Sequence, residues 1–230
     1  MRLVSDVAAF LSSHLDIVSS MVGDEFVGDF GDKRLNRRCL TVATDRAATP
    51  GDSDSASARG DAERQGAYRF MNHPKVTSES IVAAHRQATL ARCAAAPRVL
   101  VIGDTTECEF LTRKATKGLG ALSSAKAPGF YLHVTYAVTP EGVPLGILDA
   151  HYITRDPESL GRRRSELKYT APAEDRESMK WSRSLDVAER LCDELPPGAD
   201  VTVIFDREGA NSDIIERATA EDAPYYVIIR

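Results

Sequence analysis

The sequence has few cysteines, no long apolar run, no internal repeat and no excess of basic charge, and each shortage excludes a class of protein. The four cysteines, Cys39, Cys93, Cys108 and Cys192, are widely separated, with no C-x-x-C pair and no histidine at zinc spacing. Neither a disulfide scaffold nor a zinc module is expected, and the thiols are read as reduced. No stretch approaches the roughly 18 apolar residues needed to cross a bilayer, and the first twenty residues are broken by Asp6, His14 and Asp16, unlike a signal peptide. A cytoplasmic protein without a membrane partner is expected. No period recurs along the chain, which argues against a repeat array. Lys and Arg number 29 against 34 Asp and Glu, a net charge of −5, so any polyanion must be met by a local patch. The five histidines, His14, His73, His85, His133 and His151, are scattered and read as structural.

What is present suits a packed core: 43% of the 230 residues are hydrophobic and 27% charged, material for one large domain or two small ones. Helical spacing dominates the front. Val7, Ala8, Phe10, Leu11, Leu15 and Val18 predict an amphipathic helix within Val4–Val22. Asp32 is placed to cap a second helix carrying Leu35, Leu40, Val42 and Ala43, which Pro50–Asp54 ends. Ser55 or Ser57 is placed to cap a third, through Gln65, Ala67, Tyr68 and Phe70 to Pro74, and Thr77 or Ser78 a fourth, Ile81 to about Ala95. Residues 1–96 are read as one helical domain.

After Pro97 the pattern changes. Val99-Leu-Val-Ile102 predicts a buried strand that ends in Asp104-Thr-Thr106. A loop over Lys114–Gly129, a strand over Phe130–Val138, a turn at Thr139–Gly142 and a returning strand over Val143–Ile153 complete a meander. Arg155–Arg176 is charged and read as exposed. A helix around Trp181–Leu191, a strand Val201–Phe205, a helix around Ile214–Ala218 and a strand Tyr225–Ile229 follow. Three strands, then helix, strand, helix and strand is the order of a ribonuclease-H-like core, although other α/β folds share parts of it. The expected fold class is α+β / α/β, a helical front followed by a partial core of that kind with a mixed β-sheet over residues 97–230.

Two features carry candidate chemistry. Asp104 and Asp206 each follow an apolar strand, where α/β sheets collect functional groups. Singly, each reads first as a turn or helix cap; together, two converging carboxylates call for a cation, and hard oxygen donors suit Mg²⁺. Glu107 and Glu109 lie near Asp104 but read as exposed acids. The second feature is Lys33, Arg34, Arg37 and Arg38 on the second helix, with Lys33 and Arg37 spaced i, i+4. That spacing fits phosphate contacts or base readout, but taken alone it reads first as a solvated face.

Gln65-Gly-Ala-Tyr-Arg-Phe-Met-Asn-His-Pro-Lys-Val76 with Ser78-Glu-Ser-Ile81, Gly31-Asp-Lys-Arg-Leu35, Ile102-Gly-Asp-Thr-Thr106, Glu177-Ser-Met-Lys-Trp181 and Phe205-Asp-Arg-Glu208 occur in one order along the chain. Together this set resembles bacterial cut-and-paste DDE transposases of the insertion-sequence-four family, transposon-five type, from about Phe30 to Arg230. The resemblance implies a helical DNA-binding domain and a ribonuclease-H-like catalytic core that uses Mg²⁺, or Mn²⁺ in its place, to cleave and rejoin transposon ends. It implies Asp104 and Asp206 as catalytic metal ligands. It implies Lys33, Arg34, Arg37 and Arg69 as DNA contacts, which Arg38 joins as a member of the same basic cluster, and Arg207 and Arg230 as basic residues near the active site. Lys114–Gly118 and Arg162–Arg164 rank below these as backbone contacts. The partners implied are double-stranded terminal-repeat DNA and, in the family at full length, a second copy, with a nucleoid-associated bacterial location.

The sequence departs from the family where a third carboxylate is due. That glutamate sits in a Tyr, Arg, Glu, Lys signature on a later helix, and Glu208, Asp213, Glu216, Glu221 and Asp222 lack those companions. The expectation is a transposase portion truncated before the catalytic glutamate and without the dimerisation region. The alternatives are a non-catalytic DNA-binding remnant occupying terminal repeats, and a stand-alone Mg²⁺-dependent nuclease recruiting Glu107.

Overall fold

A computed structural model describes residues 21–26, 29–111, 116–123, 128–155 and 179–230. The predicted first helix falls largely on residues outside this set, with residues 21–25 helical; most of the charged Arg155–Arg176 segment also lies outside it. The chain divides into two compact units between Ala91 and Arg92.

The first unit is helical: α1 (Lys33–Ala48), α2 (Asp54–Ser57), α3 (Asp61–Met71) and α4 (Ser78–Ala94), whose last residues belong to the second unit. Asp32 caps α1, its side chain accepting from the Arg34 amide at 2.7 Å. The approach to that cap needs Gly31, which holds a φ of 71°. Asp29 accepts from the Gly31 amide and from Asn36, and the Asn36 amide group with the Gly31 amide holds its carboxyl below the usual range. The third predicted helix is two helices. Ser53, not Ser55 or Ser57, caps α2, and the extended Gly60 starts α3. Four residues exhaust α2 because its C-cap Ala58 and the residue before α3, Gly60, are both extended and offer no continuing ladder. Thr77 and Ser80 cap α4 reciprocally, each side-chain oxygen accepting from the other's amide at 2.9–3.2 Å. Leu35 and Cys39 of α1 meet Phe30, Phe70 and Ala84 in one buried cluster, with Phe30 edge-on to Phe70 at 5.6 Å. Full burial of one such ring is worth about 1.5–3 kcal/mol.

The second unit is a six-stranded mixed sheet: β1 (Arg98–Glu109), β2 (Gly120–Ala121), β3 (Pro128–Val138), β4 (Pro144–Ile153), β5 (Asp200–Phe205) and β6 (Tyr226–Ile229). Helix α5 (Met179–Glu194) joins β4 to β5, and α6 (Ser212–Ala218) joins β5 to β6. The main strands run β4-β3-β1-β5-β6, the first three antiparallel and the last two parallel to β1. This order is consistent with the ribonuclease-H-like core expected. Alternation is legible in β3, where Tyr131, His133, Thr135 and Ala137 are buried and the residues between them only half so. The buried face receives Trp181, Ser184, Leu185 and Ala188 of α5. On the opposite face Ile147, Tyr152, Tyr226 and Ile228 are exposed in part, Tyr226 the most.

The first strand is longer than its apolar run. It does not end at Asp104 but continues to Glu109, because β3 pairs with it from Leu100 through Glu109. What ends near Asp104 is the parallel pairing with β5, last at Ile102–Ile204. The four cysteines are free, as expected.

Candidate nucleic-acid interface and carboxylate pair

Helices α1 and α3 enclose a cleft of about 670 Å³ in the first unit, lined by Arg34, Arg37, Arg38, Arg59 and Arg69, with His73 at one side and Leu35 and Phe70 beneath. The three arginines of α1 are spaced i, i+3 and i+4, and Thr41 continues the same stripe. Lys33 is exposed on the first turn of α1 and is not part of the lining. The basic stripe thus begins at Arg34, one residue round the helix from the predicted Lys33–Arg37 pairing.

Asp32 and Glu63 are the acids of this cleft. Among the described residues Arg34, Arg37 and Arg69 make no ion pair, whereas Arg59 Nε lies 2.8 Å from the buried Asp45 carboxylate. That contact is close but poorly aligned, since the same Asp45 oxygen lacks a hydrogen bond of good geometry. Burial pushes the Asp45 carboxyl up, and the Arg59 charge opposes it. Several guanidinium groups around one open cleft repel one another until an anion neutralises them, and their planar donors match phosphate oxygens or guanine edges.

Gly66 shapes this cleft. A Cβ there would lie 2.4 Å from the Arg38 guanidinium carbon, so only glycine lets α3 sit flush against that side chain. Neither Arg59 nor Gly66 was among the residues singled out from sequence. A glycine inside a helical pattern is itself a signal of close approach; Arg59, on the link between two helices, offered no periodicity.

In the second unit, Asp104 and Asp206 both follow the last pair of one strand register. The β1–β5 pairing joins residues 102 apart in number, from Arg98–Asp200 to Ile102–Ile204. The pairing stops there, with Asp104 two residues further along β1 and Asp206 one residue past the end of β5, at the same end of the two strands. Both are exposed, and Asp104 lies on the β1 face that bears Ile102. Asp104 Oδ1 accepts from the Thr105 amide at 2.8 Å, and Asp206 Oδ1 from the Glu208 amide at 2.9 Å. Asp206 therefore caps the 3-10 turn Arg207–Gly209, while Asp104, mid-strand, caps no turn.

The β5–β6 register ends at the same end of the sheet, since Phe205 pairs with Ile229 and the Arg230 amide donates to the Phe205 carbonyl at 3.0 Å. Arg230 is thereby the neighbour of Asp206. Arg207 is exposed on the 3-10 turn, and Glu208 lies 3.9 Å from the buried Lys180 ammonium. Glu107 pairs with Tyr131 on the α5 side of the sheet, opposite to Asp104, because three residues separate them along an alternating strand. Among the described residues no group of three or more His, Cys, Asp or Glu side chains gathers at metal-binding distance. Two carboxylates nonetheless fit Mg²⁺, which keeps several waters and is often held by one or two carboxylates. No helix among the described residues is long and apolar enough to cross a membrane.

The arginine cleft coincides with a family relationship. Residues 22–76, about a quarter of the chain, match the family model described as transposase DNA-binding, and every arginine of the cleft lies within that span. The match makes the first unit similar to the DNA-binding region of transposases and supports a DNA-binding, transposase-related role for this chain.

Proposed function

We propose that this chain is a DNA-binding protein of the insertion-sequence-four, transposon-five type of transposase, whose arginine cleft grips double-stranded DNA at transposon ends. The observation that carries the reading is the convergence of Arg34, Arg37, Arg38, Arg59 and Arg69 on one cleft inside the transposase DNA-binding match. Arg34 and Arg37 present forked donors to phosphate oxygens or a guanine edge, and Leu35 and Phe70 hold the cleft floor rigid beneath them.

In this reading Asp104 and Asp206 hold Mg²⁺, with Mn²⁺ as its substitute, and Arg207 and Arg230 offset phosphate charge beside them. When bound, the cation would activate a water or 3′-hydroxyl and stabilise the leaving oxygen of a phosphodiester. The protein's own part is to hold two carboxylate oxygens in a row on a rigid sheet. A second reading, DNA binding without catalysis, is favoured by the lack of a third clustered carboxylate among the described residues.

Gel-shift titration against duplexes taken from either side of the protein's own gene tests the binding reading. Arg34→Ala or Arg37→Ala is expected to weaken retention by about five- to tenfold and to lower the slope of log affinity against log salt by about 1. Unchanged affinity in both variants would remove the cleft from the interface. Mg²⁺-dependent nicking of those duplexes that disappears in Asp206→Ala would exclude the non-catalytic reading.

A further inference from the structure

On the face of the sheet opposite the two carboxylates lies a buried polar chain. His133 is 1% exposed, and both its ring nitrogens are engaged. Nδ1 lies 2.8 Å from Thr105 Oγ1, and Nε2 lies 2.9 Å from Ser184 Oγ, which is in turn 2.7 Å from Thr135 Oγ1. The ring meets Trp181 edge to face at 5.0 Å, and Trp181 meets Phe205 at 5.1 Å. Either neutral tautomer satisfies the whole chain, because the three hydroxyls can all reverse direction together. A core position filled with four polar side chains is costly unless every member is paired.

We propose that His133 is a positioning residue for the carboxylate pair, acting through Thr105 on Asp104. The proposal rests on the reading of Asp104 and Asp206 as a cation site. The residues on both sides of Asp104 are held from behind: Thr105 by His133, and Gly103 by close packing, since a Cβ there would lie 2.9 Å from Phe205 and 3.0 Å from Ser184 Oγ. The residue before Asp206 is held by Trp181. This anchoring matters because β1 loses its parallel partner after Ile102. From that point β1 keeps the antiparallel ladder to β3 alone, and the Thr105 hydroxyl ties it to the sheet's α5-covered side. The twist that fixes where the Asp104 carboxylate points is therefore set by a hydrogen bond made on the other face.

The two ends of the imidazole make the proposal separable from simple core stability. Asparagine places a polar atom near Nδ1 and keeps the Thr105 link, whereas glutamine reaches the Nε2 position and keeps the Ser184 link. Mn²⁺ binding to the full chain, read from the free-ion electron paramagnetic resonance signal, supplies the affinity, and thermal unfolding without metal supplies the stability. Asp104→Asn is expected to abolish Mn²⁺ binding. Thr105→Val and His133→Gln are expected to weaken it about five- to tenfold, the worth of one hydrogen bond, while Thr105→Ser and His133→Asn stay near wild type. Abolition by Asp104→Asn with wild-type affinity in Thr105→Val and His133→Gln would overturn the positioning role alone. So would an affinity that follows the unfolding temperature across all four variants. Mn²⁺ binding that is absent in the wild type, or that survives Asp104→Asn, would overturn the cation site, and the proposal with it.

Discussion

Asp104 and Asp206 each stand two residues beyond Ile102 and Ile204, the last parallel pair of β1 and β5, although 102 positions separate them in the chain. The register that unites them is set by apolar residues, since Val99 and Val101 of β1 lie beside Val201 and Val203 of β5 and all four are buried. A slip of one residue would turn one carboxylate to the opposite face, so the apolar core specifies the polar site.

Asp206 has two separable tasks, capping the 3-10 turn and presenting a charge. Asp206→Asn keeps an acceptor for the Glu208 amide and is expected to leave unfolding free energy within about 0.5 kcal/mol of wild type. Asp206→Ala removes the cap and is expected to cost about 1 kcal/mol. Both are expected to lose cation binding equally. Chemical denaturation beside Mn²⁺ titration checks this, and retained binding in the asparagine variant would count against the carboxylate as ligand.

Gly66→Ala is expected to act with opposite signs on stability and on binding. Alanine inside α3 favours the helix by up to about 1 kcal/mol, and the atom it displaces is the far end of the flexible Arg38 side chain, which can swing away. The fold should hold or gain while DNA affinity falls several-fold, because Arg38 leaves its place in the cleft. Gel shift and thermal melting of one variant suffice; undiminished affinity would show that Arg38 works equally well from another position.

Gly103→Ala should be purely destabilising. Its Cβ would enter a fully packed region between the Phe205 ring and the Ser184 hydroxyl, and neither neighbour sits on a free chain end. Overpacking of this kind costs about 1–3 kcal/mol. A melting temperature equal to wild type would mean that α5 yields more readily than its buried contacts imply.

Acid should weaken the second unit through His133. Burial foremost, then the charges of Lys180 and His151, lower its pKa from 6.5 to about 4, with Asp149 opposing and Arg183 adding to the fall. Because the folded value lies below the unfolded one, the unfolded chain takes up the proton first. The stability is full above pH 6.5, is lost progressively down to about 4, and levels out below that. The loss is expected to total ~3 kcal/mol. Urea midpoints across this range should fall in the wild type and lose this component in His133→Asn; an identical slope in both would assign the titration to another group.

Much of the architecture was legible because it rests on local rules. The Asp32 cap, the end of α1 before Pro50, the meander through the Thr139–Gly142 turn and the order of the later elements follow from capping, turn chemistry and apolar period. The errors fell where a neighbour overrides the local pattern. Asp104 read as a strand end because the apolar run stops there, whereas pairing with β3 carries the strand on to Glu109. The third helix read as continuous because the break at the extended Ala58 and Gly60 leaves little trace in hydrophobic spacing.

By itself the sequence determined which elements form and which residue types stand at their ends, because caps, turns and periodicity act over a few neighbouring residues. Only the tertiary structure decided which of those residues meet. Arg69 joins the α1 arginines because α3 packs against α1 with Gly66 facing the Arg38 guanidinium, and Arg59 joins them from the link between α2 and α3. Asp104, Asp206 and Arg230 lie at one end of the sheet because three parallel strands share one register. His133 reaches Thr105 and Ser184 because a strand and a helix close over it. Such meetings depend on long-range packing of apolar side chains, which leaves no mark at the polar positions that it brings together.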